Sequence, residues 1–505
     1  MGVLLSEWSY LPSVIVGILT DPVLIGILFG GVAFGYVIGV VPGLGTTMGM
    51  ALCLGLVFKM PPQHGLALLV GILVSSLSSG GITASLANIP GTASAAATCL
   101  DGYPLTLQGR GQEAVGFSYV SSIIGTISAA ILVFLIQPFV TTIALAFGDF
   151  EVFLFCIFGL VVCGSLTGEN PIKGWIAALF GIMIAGAGAE GIQSVVRYNF
   201  GNVNLLAGFD TVVLLIGLFG LSEVFYVLRE KDVVEIAGKP GWPKINIPVF
   251  LKNRWNIVRS VLAGLWVGFI PGVGETAACW FSYDMAKNAS KDKDLFGKGS
   301  PEGIIAAETA NNASSLGALI PALALAVPGS GSAALFIAAM YMIGYEPGPA
   351  LLIKSPGILC TITVLFILSA IAMLGVGYVL SRFALAFLSI PRTILMPIVV
   401  VFCFVGAYGT TYTLFSVLIA FIFGAIGFLM KLYGYPIAPM VLGVLIGKIM
   451  DLSFRRALMQ HAANPMELFM RPLALGIIAL LVIVMYFELK RNKKQNETNK
   501  EPAMK

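Results

Sequence analysis

Charge is scarce in this sequence. Asp, Glu, Lys and Arg make up 11% of its 505 residues, where an ordinary soluble domain carries roughly 25%, so water is not the main solvent for its surface. Histidine is scarcer still: His64 and His461 are the only two, too few for a zinc centre or a histidine proton relay. Cys53, Cys99, Cys156, Cys163, Cys279, Cys360 and Cys403 stand singly among apolar residues without a CxxC pair, and read as small core residues rather than metal ligands or redox couples. No Lys or Arg precedes Lys59, so the basic stretch of a cleaved secretory signal is missing and the first helix is expected to be retained. Walker A and HExxH motifs are absent, which argues against an ATP-driven pump or a zinc protease. The literal GxGxxG match from Gly186 to Gly191 lies in an apolar Gly/Ala stretch with no preceding strand, and fails as a dinucleotide site. Nothing supplies a basic face for nucleic acid.

Apolar length is what the chain has in quantity. Hydrophobic residues are 58% of the total, and stretches of about 20 residues, enough for a helix to cross a hydrocarbon core, recur from end to end. The pattern predicts an all-α integral membrane protein in the lipid bilayer, with about 10–12 crossings plus broken or re-entrant helices. A polar stretch, residues 229–254, carries Arg229, Lys231, Lys239, Lys244, Lys252 and Arg254 with Pro240, Pro243 and Pro248, the composition of a solvated connector. It separates a first transmembrane repeat, 1–228, from a second, 255–470. An extra C-terminal helix over 471–489 and a basic tail over 490–505 follow, and the Lys and Arg of the tail place it in the cytoplasm, as they do the connector.

The two halves resemble one another. Pro42-Gly43-Leu44-Gly45-Thr46-Thr47 recurs as Pro271-Gly272-Val273-Gly274-Glu275-Thr276, and Ile89-Pro90-Gly91-Thr92-Ala93-Ser94-Ala95-Ala96 recurs as Val327-Pro328-Gly329-Ser330-Gly331-Ser332-Ala333-Ala334. A corner follows each second motif, at Gly102-Tyr103-Pro104 and at Gly344-Tyr345-Glu346-Pro347. The shared order predicts two inverted structural repeats, the plan of many secondary transporters. Proline removes a backbone donor and glycine loosens the helix, so each break frees polar groups that lipid cannot satisfy. A single break is commonly a packed kink. Breaks at paired positions build a midplane site from half-helix ends.

No Lys or Arg falls within the broken segments, so an anion there must be held by helix starts, backbone N–H groups, hydroxyls and amides. The candidate substrate-binding residues are Gly43, Gly45, Thr46, Thr47, Asn88, Pro90, Gly91, Thr92 and Ser94, then Gly272, Gly274, Thr276, Asn311, Asn312, Pro328, Gly329, Ser330 and Ser332. Part of the Ser and Thr set serves backbone carbonyls instead. The asparagines are more telling, because an amide is costly in hydrocarbon without a partner. Glu308, an acid inside an apolar stretch, is the candidate for coupling to Na⁺ or H⁺, with sodium near it the one metal reading. Its alternatives are a position at the membrane edge or a remote cationic partner. Glu275 replaces the Thr46 of the other half and is a second ion-coupling candidate. Asp101 and Arg110 are placed to pair across the Tyr103 corner, or to lie at the surface. No catalytic residue and no other cofactor are expected.

Asn88-Ile89-Pro90-Gly91-Thr92 with Asp101-Gly102-Tyr103-Pro104, then Phe296-Gly297-Lys298-Gly299, then Glu302-Gly303 leading to Glu308-Thr309-Ala310-Asn311-Asn312-Ala313 also resemble, in family order, the large membrane subunit of the tripartite tricarboxylate transporters. The resemblance covers nearly the whole chain. It implies symport of a di- or tricarboxylate of the citrate type across a bacterial inner membrane, driven by an ion gradient. It also implies a small membrane subunit of four helices and a periplasmic substrate-binding protein as partners. The family's segments fall on Gly43 to Thr47, Asn88 to Ser94, Gly272 to Thr276, Glu308 to Asn312 and Pro328 to Ser332. Glu275 departs from the small uncharged residue of many relatives, which leaves substrate and coupling ion open. The residues alone also admit a passive channel or a permease for another small organic solute. An intramembrane enzyme would need a paired nucleophile and base. The expected mechanism is alternating access by rocking of one repeat against the other.

Overall fold

The computed structural model describes residues 8–166, 171–229, 239, 241–388, 390 and 392–498. The chain is helical nearly throughout, and the strands among the described residues are a two-residue pair, Gly188–Ala189 with Val196–Arg197. Among the described residues eight helices are long and apolar enough to cross a membrane, and four shorter apolar helices accompany them. Two of those four, Gly45–Val57 and Gly331–Met342, are the broken pieces expected from the Pro-Gly motifs.

The helices that frame the site are α1 (Pro22–Val40), α2 (Gly45–Val57), α3 (Pro62–Ala87), α4 (Ala96–Leu105), α5 (Gly111–Ala146), α6 (Thr211–Arg229), α7 (Arg254–Phe269), α8 (Gly274–Ala289), α9 (Pro301–Leu325), α10 (Gly331–Met342) and α11 (Ile437–Gln460). Local chemistry sets their ends. Asp21 caps α1, accepting from the N–H groups of Val23 and Leu24 at 3.0 Å, with Pro22 in the first turn.

Two helices form the centre. Every residue of α3 from Gly65 to Ala87 is buried, as is every residue of α9 from Gly303 to Leu325. Both are uniform around their circumference, which suits a helix surrounded by others. Their serines bond back to their own helices, Ser75 Oγ to Gly71 O and Ser314 Oγ to Asn311 O, each at 2.7 Å. Small residues then let backbones meet. A Cβ built on Gly39 of α1 would lie 2.1 Å from Ser76 O, and one on Gly268 of α7 2.4 Å from Ser314 O.

Each half carries the same two backbone devices. At the first, Gly43 and Gly45 have φ of +89° and +60°, matched by +76° and +70° at Gly272 and Gly274. At the second, α3 ends on Asn88 and α9 on Ala326, both left-handed with φ of 56° and 59°. The chain then folds back, and Gly91 N–H reaches Gly80 O while Gly329 N–H reaches Ala318 O, each at 3.2 Å.

Other expectations need correction. Gly102-Tyr103-Pro104 is not a corner, because α4 continues through Pro104 and the backbone turns at Gly109, with φ of +78°. Thr106 Oγ1 fastens this end of α4 to Ser85 O at 2.7 Å. Arg110 does not pair with Asp101 but with Glu113, at 2.7 Å. Of the connector, Lys244 N–H donates to Gln112 O at 2.9 Å and Ile247–Lys252 forms a short helix, while 230–238 and 240 lie outside the described residues. The last helix runs Pro472–Thr498, past the expected end at 489, because the Lys, Arg, Gln and Glu that follow are good helix formers. Residues 499–505 of the tail lie outside the described set.

Candidate substrate site

Four helical segments begin at the breaks: α2 at Gly45, the short 3₁₀ turn Ala93–Ala95 leading into α4, α8 at Gly274 and α10 at Gly331. Their first turns meet around one cavity of about 380 Å³. Gly43, Gly45, Thr46, Thr47, Pro90, Gly91, Thr92 and Ser94 line it from the first half, with Glu275, Thr276, Gly331 and Ser332 from the second. Phe219 and Glu223 of α6 and Ala438 of α11 complete the wall.

The first N–H groups of a helix have no partner within it, and each helix start carries about half an elementary positive charge. None of the described residues lining the cavity is Lys or Arg. Its positive character therefore comes from backbone, its specificity from hydroxyls. Thr92 Oγ1 and Ser94 Oγ are 3.1 Å apart, and Thr46 Oγ1 accepts from Ser76 Oγ at 3.0 Å. Across the cavity Glu275 Oε1 accepts from Ser332 Oγ at 2.5 Å and Ser330 Oγ at 2.9 Å.

The remaining predicted residues stand elsewhere. Gly272, Gly274, Pro328 and Gly329 build the breaks behind the lining, and Ser330 caps α10 by accepting from Ala333 N–H at 3.2 Å. Asn88 is exposed. Its place is explained by backbone, since Asn tolerates the left-handed conformation that ends α3, and not by an amide facing the cavity. Asn311 and Asn312 are fully buried and stitch α9 to its neighbours: Asn311 Nδ2 donates to Leu77 O at 3.3 Å, Asn312 Nδ2 to Val74 O at 3.0 Å and to Thr126 Oγ1 at 3.1 Å.

Glu308 also lies outside the cavity lining. It is fully buried. Its Oε1 accepts from Thr98 Oγ1 at 2.5 Å and its Oε2 from Ser122 Oγ at 3.2 Å, and no cationic side chain pairs with it among the described residues. A Cβ on Gly81 would meet both Glu308 Oε1, at 2.1 Å, and Ser118 Oγ, at 2.4 Å. Ser118 Oγ, Thr309 Oγ1, Asn311 Oδ1 and Asn312 Oδ1 are buried without a hydrogen-bond partner among the described residues. Orphaned buried oxygens of this kind call for an explanation.

The sequence reading missed Glu223. It is paired with Lys431, and the signal that singled out Glu308, an acid inside an apolar run, was present there too. Phe219 was also missed. It sits in a π-helical turn of α6, Ile216–Leu221, a feature frequent at functional sites that residue types do not announce.

Comparison with known proteins covers most of the chain. Residues 25–442 match the model of the tripartite tricarboxylate transporter TctA family. An "uncharacterized 52.8 kDa protein in TAR-I ttuC' 3'region" of Agrobacterium vitis is 30% identical over 462 residues, 91% of this chain and 92% of that one. An uncharacterized protein in the TAR-II ttuC' 3'region of the same organism is 28% identical over 226 residues, 45% of this chain and 93% of its own length. No solved structure matches. The apolar multi-pass architecture and these matches agree, and the chain belongs to the tripartite tricarboxylate transporter TctA family, a family of transporters and not of enzymes.

Proposed function

We propose that the cavity between the four helix starts is the substrate site of a large permease subunit for di- or tricarboxylate uptake. The observation that carries this reading is the meeting of four first turns on one cavity whose lining has hydroxyls and no Lys or Arg. Helix starts bind anions without further help, and placing them at broken helices is how transporters hold a substrate carboxylate at mid-membrane. A passive channel would instead be served by a continuous polar stripe.

Ion coupling belongs to Glu308. The carboxylate with Thr98 and Ser122, and the orphaned Ser118 Oγ near it, offers the all-oxygen environment that hard cations take, and a lone buried acid is equally suited to carry a proton. Alternating access, with the two halves as inverted repeats, exposes the cavity to each side in turn. The bacterial inner membrane, a cytoplasmic C-terminus, a small membrane subunit of about four helices and a periplasmic binding protein that delivers the substrate complete the scheme, as the tripartite family suggests.

Uptake of labelled citrate and succinate into proteoliposomes holding the assembled system tests it. Accumulation should require a Na⁺ or proton gradient, and Thr92→Val with Ser94→Ala should lower apparent affinity. Gradient-independent equilibration would overturn the coupling, and unchanged affinity in the double variant would overturn the site.

A further inference from the structure

Glu275 breaks the match between the halves at the cavity itself. It lies in the first turn of α8, and its Oε1 takes the hydroxyls of Ser332 and Ser330, which are 2.8 Å from each other at the start of α10. The corresponding pair in the first half, Thr92 and Ser94, is similarly joined at 3.1 Å but holds no carboxylate. The residue corresponding to Glu275 is Thr46, whose hydroxyl is engaged by Ser76. One half of the site thus presents a hydroxyl pair to the cavity, and the other has its pair filled by the protein.

A carboxylate seated on two hydroxyls at a helix start is the contact a ligand carboxylate would make there. Four helix starts supply about two elementary positive charges in all. Glu275 returns one negative charge, while Glu223, the other acid of the lining, is held in its ion pair with Lys431. The lining therefore balances one ligand charge fewer than it would with a threonine at 275, as Thr46 stands in the other half.

We propose that Glu275 stands in for one ligand carboxylate, so that this site takes dicarboxylates in preference to tricarboxylates, with a ligand carboxylate on Thr92 and Ser94. The inference rests on the cavity being the substrate site. A purely structural role, capping α10, would be satisfied by the same hydrogen bonds but would leave the charge preference alone.

Glutarate and tricarballylate test it, because the second is the first with one added carboxylate. Binding of each to the purified full-length chain is measured by titration calorimetry, in sodium buffer at a pH where both are fully ionised. Wild-type protein should favour glutarate. Glu275→Gln should move the affinity ratio toward tricarballylate by about tenfold or more, since a like charge beside the added carboxylate is removed. Glu275→Thr, which restores the pattern at Thr46, should do the same and guards against misfolding of a single variant. Ser332→Ala, which keeps the charge, should leave the ratio in place. If both acids bind and neither Glu275 variant changes the ratio, or if wild type already favours tricarballylate, the inference is overturned while the site stands. If neither acid binds wild type or either variant, the site itself is overturned, and the inference with it.

Discussion

The phenol of Tyr283 donates a 2.8 Å hydrogen bond to Oδ2 of Asp101, a fully buried carboxylate from the other half of the chain. Oδ1 of the same group accepts from the backbone N–H groups of Gly297, Gly299 and Ser300 at 2.8–2.9 Å. One acid thus ties the Phe296–Ser300 loop and α8 to α4. Tyr283→Phe removes one bond to a charged group and should cost about 1.5–3 kcal/mol, and Asp101→Ala, which strands all four donors, should cost more. Unfolding of the purified variants in detergent gives the order, and equal loss in the two would contradict it.

The fold-back after each central helix depends on glycine for space. A Cβ on Gly91 would lie 2.0 Å from Gly39 O and one on Gly329 2.5 Å from Gly268 O, and backbone atoms cannot swing aside. Gly91→Ala and Gly329→Ala should each destabilise by roughly 1–3 kcal/mol or more. Gly30→Ala, on α1 with nothing within 4 Å, should be neutral or stabilising, because helical glycine is disfavoured by roughly 0.5–1 kcal/mol. Thermal unfolding of the three variants separates the two classes.

Glu308→Gln keeps the shape of the buried acid and removes its charge. Binding of substrate at the cavity should persist, because Glu308 is not among the cavity's lining residues, while uptake should no longer respond to the driving gradient. The comparison to make is uptake with and without the gradient in wild type and variant. A variant that still accumulates substrate would remove Glu308 from the coupling.

One pH effect lies outside the spans. Asp21 is held below its ordinary value of 3.8, first by its hydrogen bond with His64 and then by the Leu24 N–H that it caps. A carboxylate depressed in the folded state adds stability above its unfolded pKa and loses it as pH falls through the folded value. Stability near the start of α1 should therefore hold down to about the ordinary carboxylate value and decline below it. In Asp21→Asn that acid-side decline should be reduced, as followed by amide hydrogen exchange in α1.

Much of this was legible in residue types. Pro-Gly pairs marked both breaks of each half, and the absence of Lys and Arg between Lys59 and Asp101 pointed to a site made of backbone and hydroxyls, which is how the cavity lining is composed. What was not legible is direction. Asn88, Asn311 and Asn312 were equally polar in the sequence, yet one is an exposed cap and two are buried stitches, because helical phase and the neighbour across the interface decide where an amide points. Glu308 was rightly singled out for burial, but its separation from the cavity lining follows from the packing of α9 against α3, α4 and α5, which no local pattern encodes.

The stitches also bear on motion. Asn311 and Asn312 bond α9 to the carbonyls of α3, while Thr98 and Ser122 bond α4 and α5 to Glu308. Glu223 on the opposite wall is tied instead to Lys431 of the helix Leu414–Leu432. A disulfide engineered between Val74 and Asn312 should leave transport running, and one between Thr47 and Phe219 should arrest it. Rocking one repeat against the other would tear these amides from their carbonyls. The four helix starts should then move as one unit with α3 and α9, past the parts of α6 and α11 that carry Phe219 and Ala438.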